Sequence, residues 1–256
     1  MLGAERRNQI VARLNEKKSL LVPETAQLFG VTEETIRRDL KYLESKGLLV
    51  RTHGGAVLSD DTNWETPVEV REGINMSGKN AIGLKASQMV EDNDTLFLDA
   101  STSCLYLARH LKKKKGLTVV TNAERIILEL ASCEDITLIS SGGLLRPKSL
   151  SYVGRTAERA ISQYRAAKVF LSSKGFSPRH GLTDSNEQEA DIRRTMLACS
   201  EKVIFLCDHT KFEKVGFVNT ARVDQINILI TDKAFPETWR NWLDSLSLKV
   251  IRADQE

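Results

Sequence analysis

The sequence predicts an α/β protein in two parts: a small helical domain closed by a β-hairpin, then a larger domain built on a mainly parallel sheet. Three observations carry this. Residues 4–58 show helical apolar spacing punctuated by glycine, followed by two β-prone runs around a Gly-Gly turn. From residue 67 onward, apolar runs alternate with helical stretches, as strands buried on both faces do. Between them, Ser59-Asp60-Asp61-Thr62-Asn63 is polar, acidic and aperiodic, which suits an exposed connection. The predicted boundaries are 1–58, a linker over 59–66, and 67–256.

With 41% hydrophobic and 28% charged residues, the composition is that of a globular protein and excludes disordered and fibrous classes. No apolar run approaches the roughly 20 residues that cross a bilayer. Met1 leads into Glu5-Arg6-Arg7 rather than an apolar leader, so a cytoplasmic protein with no membrane partner is expected. Cys104, Cys133, Cys199 and Cys207 are widely spaced, lack a C-x-x-C pair, and read as reduced thiols rather than metal ligands or disulfides. The net charge of +3 is unevenly placed: residues 1–58 hold ten Lys/Arg against seven Asp/Glu, and the remainder holds 27 of each. The excess therefore lies at the N-terminal end, where an extended anion would be met.

Within that end, Ile10, Val11 and Leu14 mark a first helix over Ala4–Lys17. Pro23 can open a second helix, Pro23–Phe29, because its missing N–H costs nothing in a first turn, and Gly30 stops it. Thr32 can cap a third helix whose Glu33 and Glu34 favour the positive end of the dipole. Two helices joined by so tight a turn form a helix-turn-helix. In the third helix, Glu33–Lys46, the residues Ile36, Leu40 and Leu43 fall within about 60° of one another, at about 100° per residue. Arg37, Arg38 and Lys41 cluster with Glu34 on the opposite face. Such a helix can pack on a core and present a basic face to a major groove, or simply carry solvated i,i+4 charge pairs. Gly47 as a stop and the hairpin from Leu48 to Leu58 supply a wing, with Arg51 and His53 near its tip able to reach a sugar-phosphate backbone.

The run Val31-Thr32-Glu33-Glu34-Thr35-Ile36-Arg37-Arg38-Asp39-Leu40, then Leu43-Glu44, Gly47-Leu48-Leu49 and Arg51-Thr52-His53-Gly54-Gly55-Ala56, resembles the signature of DeoR-type (DeoR/GlpR) bacterial regulators. The resemblance implies that Thr35, Arg37, Arg38 and Lys41 belong to the recognition helix, with Asp39 a structural acid holding a neighbouring arginine; together with Thr32 at the helix start and Arg51 and His53 on the wing they are the expected DNA-binding residues of a winged helix-turn-helix.

In the larger domain, strands read at 95–99, 117–121, 136–140, 169–172, 203–207, 227–231 and 248–251, with a helix near 78–90. Parallel sheets bind ligands beyond their strand C-termini, which directs attention to four loops. Asp99-Ala100-Ser101-Thr102-Ser103 precedes a helix over 105–111; its hydroxyls and free N–H groups make either a phosphate cradle or a plain N-cap. Ser140-Ser141-Gly142-Gly143, Ser173-Lys174-Gly175 and Asp208-His209-Thr210-Lys211 end other strands with small residues and two lysines suited to an anion.

The resemblance extends here through Asp99–Ser103, Gly142-Gly143, Gly181-Leu182-Thr183-Asp184, Asp208–Lys211 and Ile230-Thr231-Asp232. DeoR-type sensor domains are similar in fold to sugar-phosphate isomerases and deaminases, and family members typically respond to phosphorylated sugars. By that resemblance Ser101, Thr102 and Ser103 would hold the phosphate, while Asp99, Gly142, Gly143, Lys174, Asp184 and Lys211 would line the sugar end. A repressor of a carbohydrate-utilisation operon follows, with operator DNA, a sugar-phosphate effector and further copies of itself (dimer or tetramer) as partners and no cofactor. The alternative is a phosphosugar isomerase or deaminase with a fused DNA-binding head. Against it, Lys174-Gly175 stands where enolising relatives tend to carry Asp-Gly, which favours binding over proton abstraction.

Overall fold

A computed structural model of the chain describes residues 2–17, 19–46, 48–58, 65–233, 237–246 and 248–253. It divides into two compact units, 1–76 and 77–256.

The first unit runs α1 (Gly3–Lys17), β1 (Ser19–Leu21), α2 (Val22–Phe29), α3 (Glu33–Ser45), β2 (Leu49–Thr52), β3 (Gly55–Leu58) and α4 (Val68–Gly73). Pro23 lies in the first turn of α2, and Gly30 closes it in the left-handed region at φ +63°, its N–H returning to Ala26 and Gln27. The three helices bury Ile10, Val11, Leu14, Ala26, Ile36, Leu40 and Leu43 around a three-stranded sheet of order β1-β3-β2. The wing turns one residue earlier than the Gly-Gly pair suggests. Thr52 pairs with Gly55, so His53-Gly54 make the turn and Gly55 begins β3. The two glycines serve different ends: Gly54 has φ +103°, whereas a Cβ on Gly55 would lie 2.0 Å from the Leu20 carbonyl oxygen. Gly47 and 59–64 lie outside the described residues. Beyond them α4 belongs to this unit rather than to the larger domain, because Val70 and Ile74 pack on its core.

The second unit opens with α5 (Met76–Ser87), which begins at the last residue of the first, and continues β4 (Thr95–Leu98), α6 (Thr102–Leu111), β5 (Leu117–Thr121), α7 (Glu124–Leu130), β6 (Ile136–Ser140), β7 (Leu144–Arg146), β8 (Ser151–Val153) and α8 (Arg155–Ser162). It ends β9 (Ala166–Leu171), β10 (Gly175–Ser177), β11 (Gly181–Asp184), α9 (Glu187–Ala198), β12 (Ser200–Leu206), β13 (Val218–Ala221), β14 (Ile228–Thr231), α10 (Glu237–Asp244) and β15 (Lys249–Arg252). Seven strands form one parallel sheet, β15-β14-β12-β9-β4-β5-β6. Alternate residues feed two cores: Phe97, Val169, Leu171, Val203 and Phe205 on one face, Leu96, Leu98, Phe170, Ile204 and Leu206 on the other. Period-two burial of both sets is why these strands read as continuous apolar runs. A small antiparallel sheet, β10-β11-β13, and the hairpin β7-β8 stand apart from the main sheet. Among the described residues no helix is long and apolar enough to cross a membrane.

Candidate functional site

The exposed face of the first unit is ordered by short-range pairing. Thr32 caps α3, its hydroxyl accepting the Thr35 N–H at 3.3 Å and lying 2.9 Å from the Thr35 hydroxyl. Arg37 donates to Glu33 at 2.6 Å and Arg38 to Glu34 at 3.3 Å, one helical turn back. Lys41 and His53 are exposed. Asp39 is the buried acid of the helix: its carboxylate accepts Arg6 Nε at 2.6 Å and faces Arg7 at 3.4 Å, tying α3 to α1. Arg51 on the wing is held by Glu44 of α3, and hydrogen bonds from the Arg51 backbone and side chain keep the Glu44 carboxyl below its ordinary range. A groove of about 310 Å³ runs between α3 and the wing, lined by Arg37, Leu40, Glu44, Arg51 and Gly54. Arg37 and Arg51, 14 positions apart, thus share one cleft.

In the second unit the predicted loops follow β12, β9, β4 and β6, and the sheet order brings the first three side by side at one edge. Ser101 is the N-cap of α6, its Oγ accepting the Cys104 N–H at 3.1 Å. Thr102 and Ser103 are buried in the first turn. Lys211 donates to Ser172 Oγ at 2.6 Å from the neighbouring loop and lies 3.9 Å from Asp208. Burial would raise the Asp208 carboxyl, but Lys211 and the buried Lys79 of α5 hold it below its ordinary value. Three buried polar atoms along this edge have no hydrogen-bond partner among the described residues: Ser103 Oγ, Asn122 Oδ1 after β5, and Asp208 Oδ2. Unsatisfied buried groups are costly, and the same edge carries the N-terminus of α6 and the two lysines that act on Asp208.

The remaining expected residues are arranged differently. Asp99 is engaged within the protein: Oδ1 accepts the Ser101 N–H at 3.0 Å, and Oδ2 accepts the Ser172 N–H at 3.2 Å and Arg193 Nε at 2.7 Å. Asp184 accepts the Lys174 N–H at 3.2 Å and the Thr220 hydroxyl at 2.6 Å, and faces Arg193 Nη1 at 3.2 Å. Glu189 lies 3.8 Å from the same guanidinium and accepts from Ser151 and Arg146. Burial is the largest influence on Asp99 and Glu189 and opposes their charge, but Arg193 together with the hydrogen bond from Ser101 at Asp99, and with Ser151, Ser149 and Arg146 at Glu189, outweighs it and both carboxyls sit below their ordinary range. These acids therefore organise loops around one buried cation. Gly142 and Gly143 follow β6, two strands from β4, and Gly143 is required by the hairpin, since a Cβ there would lie 2.8 Å from the Val153 carbonyl oxygen.

Sequence reasoning passed over Arg193, Glu189, Lys79 and Asn122. A signal existed for the first three. Glu189 and Arg193 share a helical stripe with Ala190 and Met196, and Lys79 shares one with Ile82, Gly83 and Ala86, so each is a charge on a buried face.

Comparison with known proteins agrees with this two-part construction. The DeoR-like helix-turn-helix domain matches residues 6–62, and the DeoR C-terminal sensor domain matches residues 74–233. The chain belongs to the DeoR family. This DeoR-family protein is a DNA-binding transcriptional regulator. It is 40% identical over 250 residues to the HTH-type transcriptional regulator YulB of Bacillus subtilis, covering 98% of this chain and 96% of that one. It is 34% identical to GolR of Listeria innocua, covering 91% of each, and 30% identical to a putative aga operon transcriptional repressor of Escherichia coli O157:H7, covering 97% and 93%. Solved structures with distant likeness include eIF2B delta from Chaetomium thermophilum (TM-score 0.46, 20% identity, 60% of this chain and 55% of that one). Ribose 5-phosphate isomerase A from Methanocaldococcus jannaschii is another (TM-score 0.40, 12% identity, 54% and 55%).

Proposed function

We propose that this regulator represses a carbohydrate-utilisation operon in the cytoplasm and leaves its operator when a phosphorylated sugar fills the second unit. The observation that carries the effector half is the trio of unsatisfied buried atoms, Ser103 Oγ, Asn122 Oδ1 and Asp208 Oδ2, beside the α6 N-terminus, Lys79 and Lys211. A phosphoryl group supplies acceptors for the helix N–H groups and for Ser103, and sugar hydroxyls supply donors for the asparagine and aspartate oxygens. On the DNA side, Arg37, Arg38 and Lys41 of α3 enter a major groove, Thr32 and Thr35 set the start of that helix, and Arg51 and His53 of the wing meet the backbone. Copies of the chain act in pairs on half-sites about one helical turn, or a multiple of it, apart.

Isomerase or deaminase chemistry needs a carboxylate base free to face the substrate. Asp99 and Asp184 are occupied by Arg193 and backbone donors, which favours the sensor reading, whereas Asp208, with Lys211 3.9 Å from its Oδ2, is the carboxylate on which the turnover assay bears. The test is binding to duplex DNA from upstream of the protein's own gene, with and without a panel of sugar phosphates. Retardation relieved by a panel member, without its turnover, is expected. Binding indifferent to the whole panel removes the effector assignment, and turnover of a panel member restores the enzyme.

A further inference from the structure

The three exposed arginines of the DNA-binding unit are each paired with a glutamate, but not alike. The pairs of Arg37 with Glu33 and Arg38 with Glu34 lie within one helix, with the arginine side chains 55% and 79% exposed, and are screened by solvent. The pair of Arg51 with Glu44 joins two elements. Glu44 Oε1 accepts the Arg51 backbone N–H at 3.0 Å, and Oε2 accepts Nε at 2.6 Å. Strand β2 is the outer strand of its sheet, and its hairpin closes on Thr52 and Gly55. The alternation of antiparallel pairs from that closing pair turns the Arg51 N–H away from β3, so Glu44 receives a donor the sheet leaves outside.

We propose that Glu44 is a positioning residue for DNA recognition, which fixes the wing against α3 and aims the Arg51 guanidinium at the phosphate backbone. The proposal rests on the assignment of Arg51 to DNA contact. A guanidinium bound through Nε keeps both terminal amino groups on its opposite edge, a planar fork suited to a phosphate. Arg51 shares the groove with Arg37, so a phosphate met there is approached from both sides. Holding the fork in place before binding removes the ordering cost of a long side chain. A carboxylate in such a groove, acting only as a charge, would repel DNA. Its positioning role and its electrostatic effect therefore have opposite signs, and a measurement separates them.

The experiment uses the full chain and variants Glu44→Ala, Glu44→Gln, Arg51→Ala and the double Glu44→Ala/Arg51→Ala, on upstream duplex DNA across a salt series, with thermal melts of each. Arg51→Ala is expected to weaken binding roughly tenfold and reduce the salt slope by about 1, as loss of one phosphate contact does. Glu44→Ala is expected to weaken binding at least threefold although it removes a negative charge, with Glu44→Gln between it and wild type, because an amide oxygen still accepts the backbone N–H. The double variant is expected to bind no more weakly than Arg51→Ala alone. Glu44→Ala or Glu44→Gln binding as tightly as wild type, or a further loss in the double variant, overturns the proposal. Should Glu44→Ala fail to melt cooperatively, Glu44→Gln decides by the same criterion. Arg51→Ala binding like wild type at every salt concentration instead removes the wing contact itself, a distinguishable failure.

Discussion

Replacing Arg193 by methionine isolates the buried hub of the second unit. The guanidinium is 6% exposed and serves Asp99 at 2.7 Å, Asp184 at 3.2 Å and Glu189 at 3.8 Å. Methionine fills similar volume but takes the cation from Asp99 and Asp184 and leaves Glu189 with Arg146 alone. Breaking one buried pair typically costs about 3–5 kcal/mol, which in a unit of this size lowers its melting temperature by roughly 6–20 °C at pH 7. The pH dependence is the sharper signature. In the wild type the Asp99 and Glu189 carboxyls are lowered, so the stability they supply is complete above the ordinary carboxylate range and is lost as pH falls through their lowered values. Without the cation, burial is opposed only by the remaining hydrogen bonds and, at Glu189, by Arg146, so both carboxyls rise from their wild-type values, the variant's folded state holds more protons than the wild type's, and its deficit grows as pH rises through the carboxylate range. Its deficit is therefore expected to be smaller at pH 5 than at pH 7. Trp239 and Trp242 lie in this unit, and near-UV circular dichroism follows its melting directly. A deficit under about 1 kcal/mol, or one equal at the two pH values, would refute the view that Arg193 neutralises this cluster.

Three further outcomes are expected. Ser103→Ala deletes a buried hydroxyl with no partner, so it should raise the stability of the ligand-free protein by about 1 kcal/mol while weakening the sugar-phosphate response, checked by melts and effector titration of the DNA complex. Gly54→Ala should cost about 1–2 kcal/mol through its positive φ alone, whereas Gly55→Ala must displace β1 from β3 and cost more, a ranking that denaturant melts of the first unit can read. Lys211→Met should raise the acid-unfolding midpoint of the second unit. Lys211 helps hold Asp208 below its ordinary value, so the ionised aspartate stabilises the fold at neutral pH, and that contribution is lost at a higher pH once the lysine is gone; circular dichroism during acid titration measures the shift.

The elements legible in the sequence were those with long periodic patterns or glycine punctuation. All seven parallel strands lie close to the apolar runs, and α3 keeps Ile36, Leu40 and Leu43 inside with Arg37, Arg38 and Lys41 outside. Hidden elements were the three- and four-residue strands β7, β8, β10, β11 and β13, whose identity depends on pairing with distant segments. The site shows the same division. Ser101 is visible as a cap because its partner is three residues away, while the engagement of Asp99 depends on Arg193, 94 positions along the chain. Local reading places the Asp99 loop at the ligand-binding edge but does not reveal the internal partners of its carboxylate. The charges on buried stripes, Lys79 and Arg193, reveal themselves only once helical projection is applied to segments that look like ordinary solvated helices.

The segment after the undescribed connection has a practical bearing on dissecting this protein. Helix α4 returns to the first unit, where a Cβ on Gly73 would collide with the Asn8 side chain and where Val70 and Ile74 complete the apolar core. A fragment ending at the wing would bare part of that core to water. An isolated DNA-binding fragment, or a chimera that grafts it onto a different sensor, should carry residues through 76, and the junction in such a fusion belongs at the start of α5 rather than in the polar stretch behind the hairpin.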